Sequence, residues 1–112
     1  MLRGEIYLAY LYPKKGNEVG KLRPVLIYQS DFLNEVNHPT TTILPLSTTT
    51  IDDAYPLRFC VSKRDNLQSD SDILIDQIRT IDNSRIKSDF IAKLTLTELL
   101  EVDEQIQIVL GI

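Results

Sequence analysis

Helical spacing of any length occurs once in this chain, at its C-terminal end, while the other apolar runs are short, rich in β-branched or aromatic residues and closed by turn-formers. The start of that helix is readable: Thr95 and Glu98 have capping-box spacing, and Leu94 and Leu99 occupy the positions of a hydrophobic staple. Leu99, Val102, Ile106 and Val109 then form its apolar stripe, and Gly111 is placed to end it. Residues 4–12, 24–29, 40–46, 57–62 and 73–80 read as strands, with Pro45 restricting the third to a sheet edge or to its own end. Ser30 and Asp31 are suited to cap a short helix reaching residue 36, before the turn Asn37-His38-Pro39. This order lacks βαβ alternation, so the expectation is a mainly β (α+β) fold: a small, strongly curved antiparallel sheet closed by the terminal helix.

The first strand is almost continuously apolar, which implies either cover on both faces or an edge where Tyr7 and Tyr10 present aromatic bodies with polar tips. Residues 14–24, with two glycines and four basic residues, read as a mobile loop. A length of 112 residues suits one domain, 1–112, with a modest core. Charge appears at once in Met1-Leu2-Arg3-Gly4-Glu5, and no apolar run approaches the roughly 20 residues that cross a bilayer. A soluble, unprocessed protein with no membrane partner is expected. Cys60, the only cysteine, has no internal disulfide partner and lies in an alternating stretch that suits a small buried hydrophobe; a reducing cytoplasm fits best.

The net charge of -4 argues at first against a polyanionic partner. Its distribution changes that reading. Residues 1–25 carry Arg3, Lys14, Lys15, Lys21 and Arg23 against Glu5 and Glu18, a balance of +3, which leaves -7 for the rest. A solvated loop and a nucleic-acid site both account for such a cluster, and charge alone does not decide between them. Within residues 73–80, Asp76, Gln77 and Arg79 interrupt what would otherwise be a plain core strand, and polar groups there need partners or a ligand. His38 is the only histidine and lies in a turn with no second ligand, which argues against zinc or a histidine-based nuclease dyad.

Three motifs in order carry a resemblance to a known family. The segment RGEIYLAYLYPKKGNEVGKLRPVLI resembles the N-terminal signature of MazF/PemK toxins: Arg-Gly-Glu, an aromatic strand, a Gly-x-Glu loop and Arg-Pro-Val. Ile43-Leu44-Pro45-Leu46-Ser47 is similar to the family's apolar strand ending in a threonine, and Asp76-Gln77-Ile78-Arg79-Thr80 to its acidic-Gln-x-Arg-Thr signature. The resemblance implies an SH3-like barrel of the MazF/PemK/CcdB toxin type that pairs as a homodimer, with single-stranded RNA in a groove near the interface. A cognate antitoxin would occupy the same region and bind DNA together with the toxin. Arg23 and Ser47 would carry catalysis, and Asn17, Glu18, Thr48, Asp76 and Gln77 would contact RNA. Ser47 stands where the family has threonine, which keeps the hydroxyl; Thr48 is the alternative. Some members have histidine at the position of Asn17 and arginine at that of Leu74, so acid–base schemes built on those residues do not transfer.

The chemistry implied is attack of the RNA 2′-hydroxyl on the neighbouring phosphorus, which needs orientation, charge stabilisation and a proton for the leaving oxygen, with no cofactor and no metal. Arg23 suits phosphate binding because its planar fork donates two charge-assisted hydrogen bonds and stays protonated, which equally disqualifies it as a general base. Ser47 can donate to a nonbridging oxygen without ionising. Asp76 is the candidate for proton abstraction. Taken without the resemblance, Arg23 suits a surface ion pair with Glu18 and Asp76 a polar cap on a strand end. Two other functions stay open: a non-catalytic gyrase poison of the CcdB kind, and a degenerate RNA-binding or regulatory module.

Overall fold

β1 (Glu5–Leu11) and β2 (Lys21–Ile27) form an antiparallel hairpin in unbroken register, from Ile6 opposite Leu26 to Leu11 opposite Lys21. The computed structural model describes residues 1–11, 16–17 and 21–112; most of the loop expected over 14–24, including Glu18, lies outside the described residues. The last part of that stretch is not loop, because pairing with β1 extends β2 back to Lys21, and Arg23 therefore sits on a strand. α1 (Asp31–Glu35) follows, capped by the Ser30 hydroxyl accepting from the Phe32 N–H at 3.2 Å. β3 (Thr40–Ser47) runs antiparallel to β2, and then come β4 (Arg58–Val61), β5 (Ser71–Leu74), β6 (Arg79–Asp82), β7 (Ile86–Lys93) and α2 (Leu96–Leu110).

β3 is a central strand. One side pairs with β2, while the other pairs with β6 over Thr40–Ile43 and with β5 over Leu46–Ser47. Pro45, expected to mark an edge or a strand end, sits inside β3 where its partner changes from β6 to β5, a position where a missing N–H interrupts no ladder on that side. The single strand expected over 73–80 is two strands. A 3-10 turn at Ile75–Gln77 separates β5 from β6 and shifts the register along β3 by three residues.

The described residues hold seven strands rather than about five, with β6 separated from β5 and β7 added beside β1. β7 carries no mark in the sequence because only Ala92 is buried along it, which leaves no alternation of apolar and polar residues. Two register shifts put extra residues into β7 against β1, and the sheet curls far enough for Val61 of β4 and Ala92 of β7, at its two ends, to share one core cluster. That cluster also takes Ile6, Leu26, Leu44, Leu46 and Ile73 from the strands between, and Val102 and Ile106 from α2. The ends meet: after β4 the chain turns so that the Asn66 N–H donates to the Ile91 carbonyl of β7 at 2.9 Å. A second cluster on the opposite face gathers Tyr7, Ala9, Val25, Ile27, Ile43 and Ile81. β1 is thus covered on both faces along most of its length, with Tyr7 buried and Tyr10 exposed.

α2 begins as its sequence implies, with both halves of the Thr95–Glu98 capping box formed, and ends at Gly111 in the left-handed region at φ 73°. Gly4 has φ 93°, and a Cβ there would lie 3.4 Å from Leu99 Cδ2. Its N–H and carbonyl join Ile27 to Leu94, which ties the start of β1 to the entrance of α2. No helix among the described residues is long and apolar enough to cross a membrane.

Candidate active site

Arg23 and Ser47 lie where the β2–β3 ladder stops. The last pair of that ladder is Val25 opposite Pro45, and Pro24, the next residue along β2, has no N–H with which to extend it. The same register, if continued by two residues along each strand, would bring Arg23 across from Ser47, on the face that also carries Val25 and Ile43. On its other side Arg23 pairs with Ala9, a small and fully buried neighbour that leaves room beside the guanidinium stem. Both Arg23 and Ser47 are half-buried. The Ser47 oxygen accepts from the Thr49 N–H at 3.2 Å.

Thr48, the alternative hydroxyl, is exposed beyond the end of β3 and lines a different cleft, with Leu8, Pro24 and Phe90. Leu8 and Pro24 face each other on the side of the hairpin opposite Arg23. By strand alternation Ser47 falls on the Arg23 side of the sheet, and Thr48 lies with Leu8 and Pro24 on the other.

Asp76 and Gln77 are carried by the 3-10 turn on the other side of β3 from β2, Asp76 exposed and Gln77 half-buried. The turn is bracketed by the β3–β5 pairs at Leu46 and Ser47 and the β3–β6 pairs that begin at Ile43, so it lies level with about Leu44, roughly 10 Å along the strand from Ser47. Asp76 and Gln77 are thus offset along β3 from Ser47 rather than directly across from it. The strand-end cap considered for Asp76 is instead an acidic residue in the first turn of that 3-10 segment. Asn17 is exposed between β1 and β2, and Glu18, both as an RNA contact and as an ion-pair partner for Arg23, lies outside the described residues.

The residue across from Ser47 on its other side is one the motifs did not single out. Asp72 of β5 pairs with Ser47, is 2% exposed, and forms an ion pair with Arg58 of β4 at 3.1 Å. In the sequence Asp72 closes a polar stretch beside an apolar run, which gives no sign that it is buried.

The electrostatics sort the basic residues by role. Arg3 is committed to the fold: it donates to Asp103 of α2 at 2.6 Å and to the Tyr28 carbonyl at 3.0 Å, and lies over the Tyr28 ring at 4.7 Å. Burial, then the hydrogen bond to Asp103, pushes the Tyr28 hydroxyl up to about 12. Lys14 and Lys15 lie outside the described residues, which leaves Lys21 and Arg23 as the described remainder of the basic cluster. Cys60, expected as a buried hydrophobe, is exposed: Val61 takes the inward position on β4, and the other face of this end strand is open. Desolvation, followed by the carboxylates of Asp72, Asp70 and Asp52, pushes its thiol up, the opposite of an activated nucleophile. His38 is exposed after the α1 turn, as its sequence position suggests.

A family model described as the PemK-like, MazF-like toxin of type II toxin-antitoxin systems matches residues 2–110. The chain belongs to this family. It is 36% identical over 111 residues to the endoribonuclease MazF of Staphylococcus epidermidis, covering 98% of this chain and 91% of that protein. Among solved structures, MazF of Deinococcus radiodurans superposes with a TM-score of 0.79 at 24% identity, covering 100% of this chain and 97% of that one. An endoribonuclease in complex with its cognate antitoxin, from a mycobacterial species, superposes with a TM-score of 0.71 at 19% identity over 100% of this chain and 94% of that one. The MazF/PemK fold expected from the sequence, a curved antiparallel sheet with a C-terminal helix, is the fold observed.

Proposed function

We propose that this MazF/PemK-family chain is the toxin of a type II toxin–antitoxin pair, an endoribonuclease that cuts single-stranded RNA at selected sequences without a metal ion. What supports it best is the register of the β2–β3 ladder, whose continuation past its last pair, Val25 opposite Pro45, would set Arg23 across from Ser47. An arginine fork and a neutral hydroxyl facing one another suit two oxygens of one phosphate. Arg23 offsets the charge that grows on the phosphorane, and Ser47 donates to a nonbridging oxygen. The nucleophile is then the RNA's own 2′-hydroxyl, so the products carry a 2′,3′-cyclic phosphate and a 5′-hydroxyl. Asp76 and Gln77, one strand over and further along β3, suit a neighbouring nucleotide better than the scissile one, with the Gln77 amide able to read a base edge. Asn17, Glu18 and Thr48 extend the RNA contacts.

The partners proposed are a cognate antitoxin and a second copy of the chain, acting as one domain over 1–112 in the cytoplasm. The relative solved with its antitoxin and the modest surface that a chain of this length buries support both. A gyrase poison has no need of a phosphate-directed Arg23–Ser47 pair, and the family match also favours the nuclease. The test is incubation of a single-stranded RNA with the purified protein in excess EDTA. Cleavage to cyclic-phosphate and 5′-hydroxyl ends is expected; loss of cleavage on chelation, or 5′-phosphate products, would overturn the mechanism.

A further inference from the structure

Asp72 lies across from Ser47 and is almost completely buried, and a buried carboxylate is costly unless it is paired. Its Oδ2 accepts from Arg58 Nη1 at 3.1 Å and from the Ile51 N–H at 2.9 Å. Arg58 Nη1 also donates to the Thr49 carbonyl at 2.9 Å, and the Thr49 N–H donates to Ser47 Oγ. One ion pair thus grips the backbone at residues 49 and 51, on an otherwise exposed segment leaving β3 just after Ser47. A buried pair is no better for stability than well-packed apolar residues of the same volume, so its position relative to the hydroxyl is the informative feature.

We infer that Arg58 and Asp72 are positioning residues for the Ser47 hydroxyl. A serine side chain has three staggered rotamers, and the Thr49 N–H selects one by donating to Oγ. That N–H stays in place only while the turn does. Ser47 Oγ lies a long 3.4 Å from the Thr49 carbonyl oxygen, whereas Arg58 donates to the same carbonyl at 2.9 Å. The hydroxyl is therefore left to donate to a phosphate oxygen while its own oxygen remains anchored. Arg58 also neutralises Asp72, which would otherwise place an unpaired negative charge one strand from the phosphate. The inference rests on the reading of Ser47 as a phosphate donor.

The experiment compares single-turnover cleavage and RNA binding for Arg58→Gln, Asp72→Asn and Arg58→Lys, with Arg58→Gln made also in a Ser47→Ala background. At saturating RNA, Arg58→Gln and the isosteric Asp72→Asn should each cleave about tenfold more slowly with Kd within about twofold of wild type, because misaimed donors lose rate before affinity. Arg58→Lys should recover most of the rate. In the Ser47→Ala background Arg58→Gln should make no further difference, since the group it positions is gone. Wild-type rates in Arg58→Gln, or the same loss in both backgrounds, would overturn the inference, as would failure of both Arg58→Gln and Asp72→Asn to fold by circular dichroism. Absence of cleavage by the wild-type protein would remove the endoribonuclease reading and this inference with it. Cleavage that Arg58→Gln leaves untouched would remove this inference alone.

Discussion

Arg23 and Ser47 bring different kinds of donor to one phosphate, and their variants should differ accordingly. Arg23→Ala removes a charged donor needed most in the transition state, so single-turnover cleavage should fall about a hundredfold or more while RNA affinity changes much less. Ser47→Ala should act in the same direction but more weakly, because a neutral hydrogen bond contributes less than a charge-assisted one. At saturating RNA Thr48→Ala should cleave close to the wild-type rate, since an exposed contact outside the Arg23–Ser47 pair affects binding before rate. A Thr48→Ala loss equal to that of Arg23→Ala would transfer the catalytic hydroxyl to Thr48. Gln77→Ala should weaken binding or blur sequence preference in a titration against variant oligonucleotides. A structural position is testable at the same scale. At φ 93°, Gly4→Ala should cost about 1–2 kcal/mol in urea unfolding, because a Cβ is strained in that conformation. Arg23 and Gly4 could be picked out in the sequence because each belongs to a motif, whereas Asp72 could not, since its burial depends on β3 and β4 lying on either side of it.

Among the elements, α2 was legible because its signals are local: cap, staple, stripe and terminating glycine all lie within residues 94–111. Its first turn also carries a long-range bond. Arg64 donates to both Glu98 oxygens, at 2.5 and 2.9 Å, and this guanidinium, helped by the Thr95 N–H, holds the Glu98 carboxyl below its ordinary value. A carboxylate whose pKa is depressed on folding stabilises the protein above its unfolded value, about 4.3, and that stability is lost as pH falls through the folded value. Thermal unfolding should therefore show Glu98→Gln lowering Tm at pH 7, with the gap to wild type closing below about pH 4. A constant gap across that range would assign the loss to the capping box alone. Thr95→Ala should cost about 1 kcal/mol at either pH. The strands were less legible for a physical reason. β7 is defined by β1, some eighty residues earlier, and shows almost no buried face of its own. The division of β5 from β6 is likewise set by their pairing to β3 and not by local composition.

For the whole molecule, the expected assembly is a homodimer, and light scattering at micromolar concentration should report twice the chain mass of 12.8 kDa. A monomer throughout would count against a groove shared between copies. The contact between Asn66 and Ile91 has a consequence in time. Residue 47 completes the pair of candidate catalytic side chains, and the β1–β2 hairpin that carries one of them forms from neighbouring segments. The sheet that holds them closes only when residue 91 arrives to meet Asn66. At roughly 5–20 residues per second, synthesis of the intervening forty or so residues lasts a few seconds. During that interval Arg23 and Ser47 have both been made, while the closed sheet that fixes their strands against each other has not.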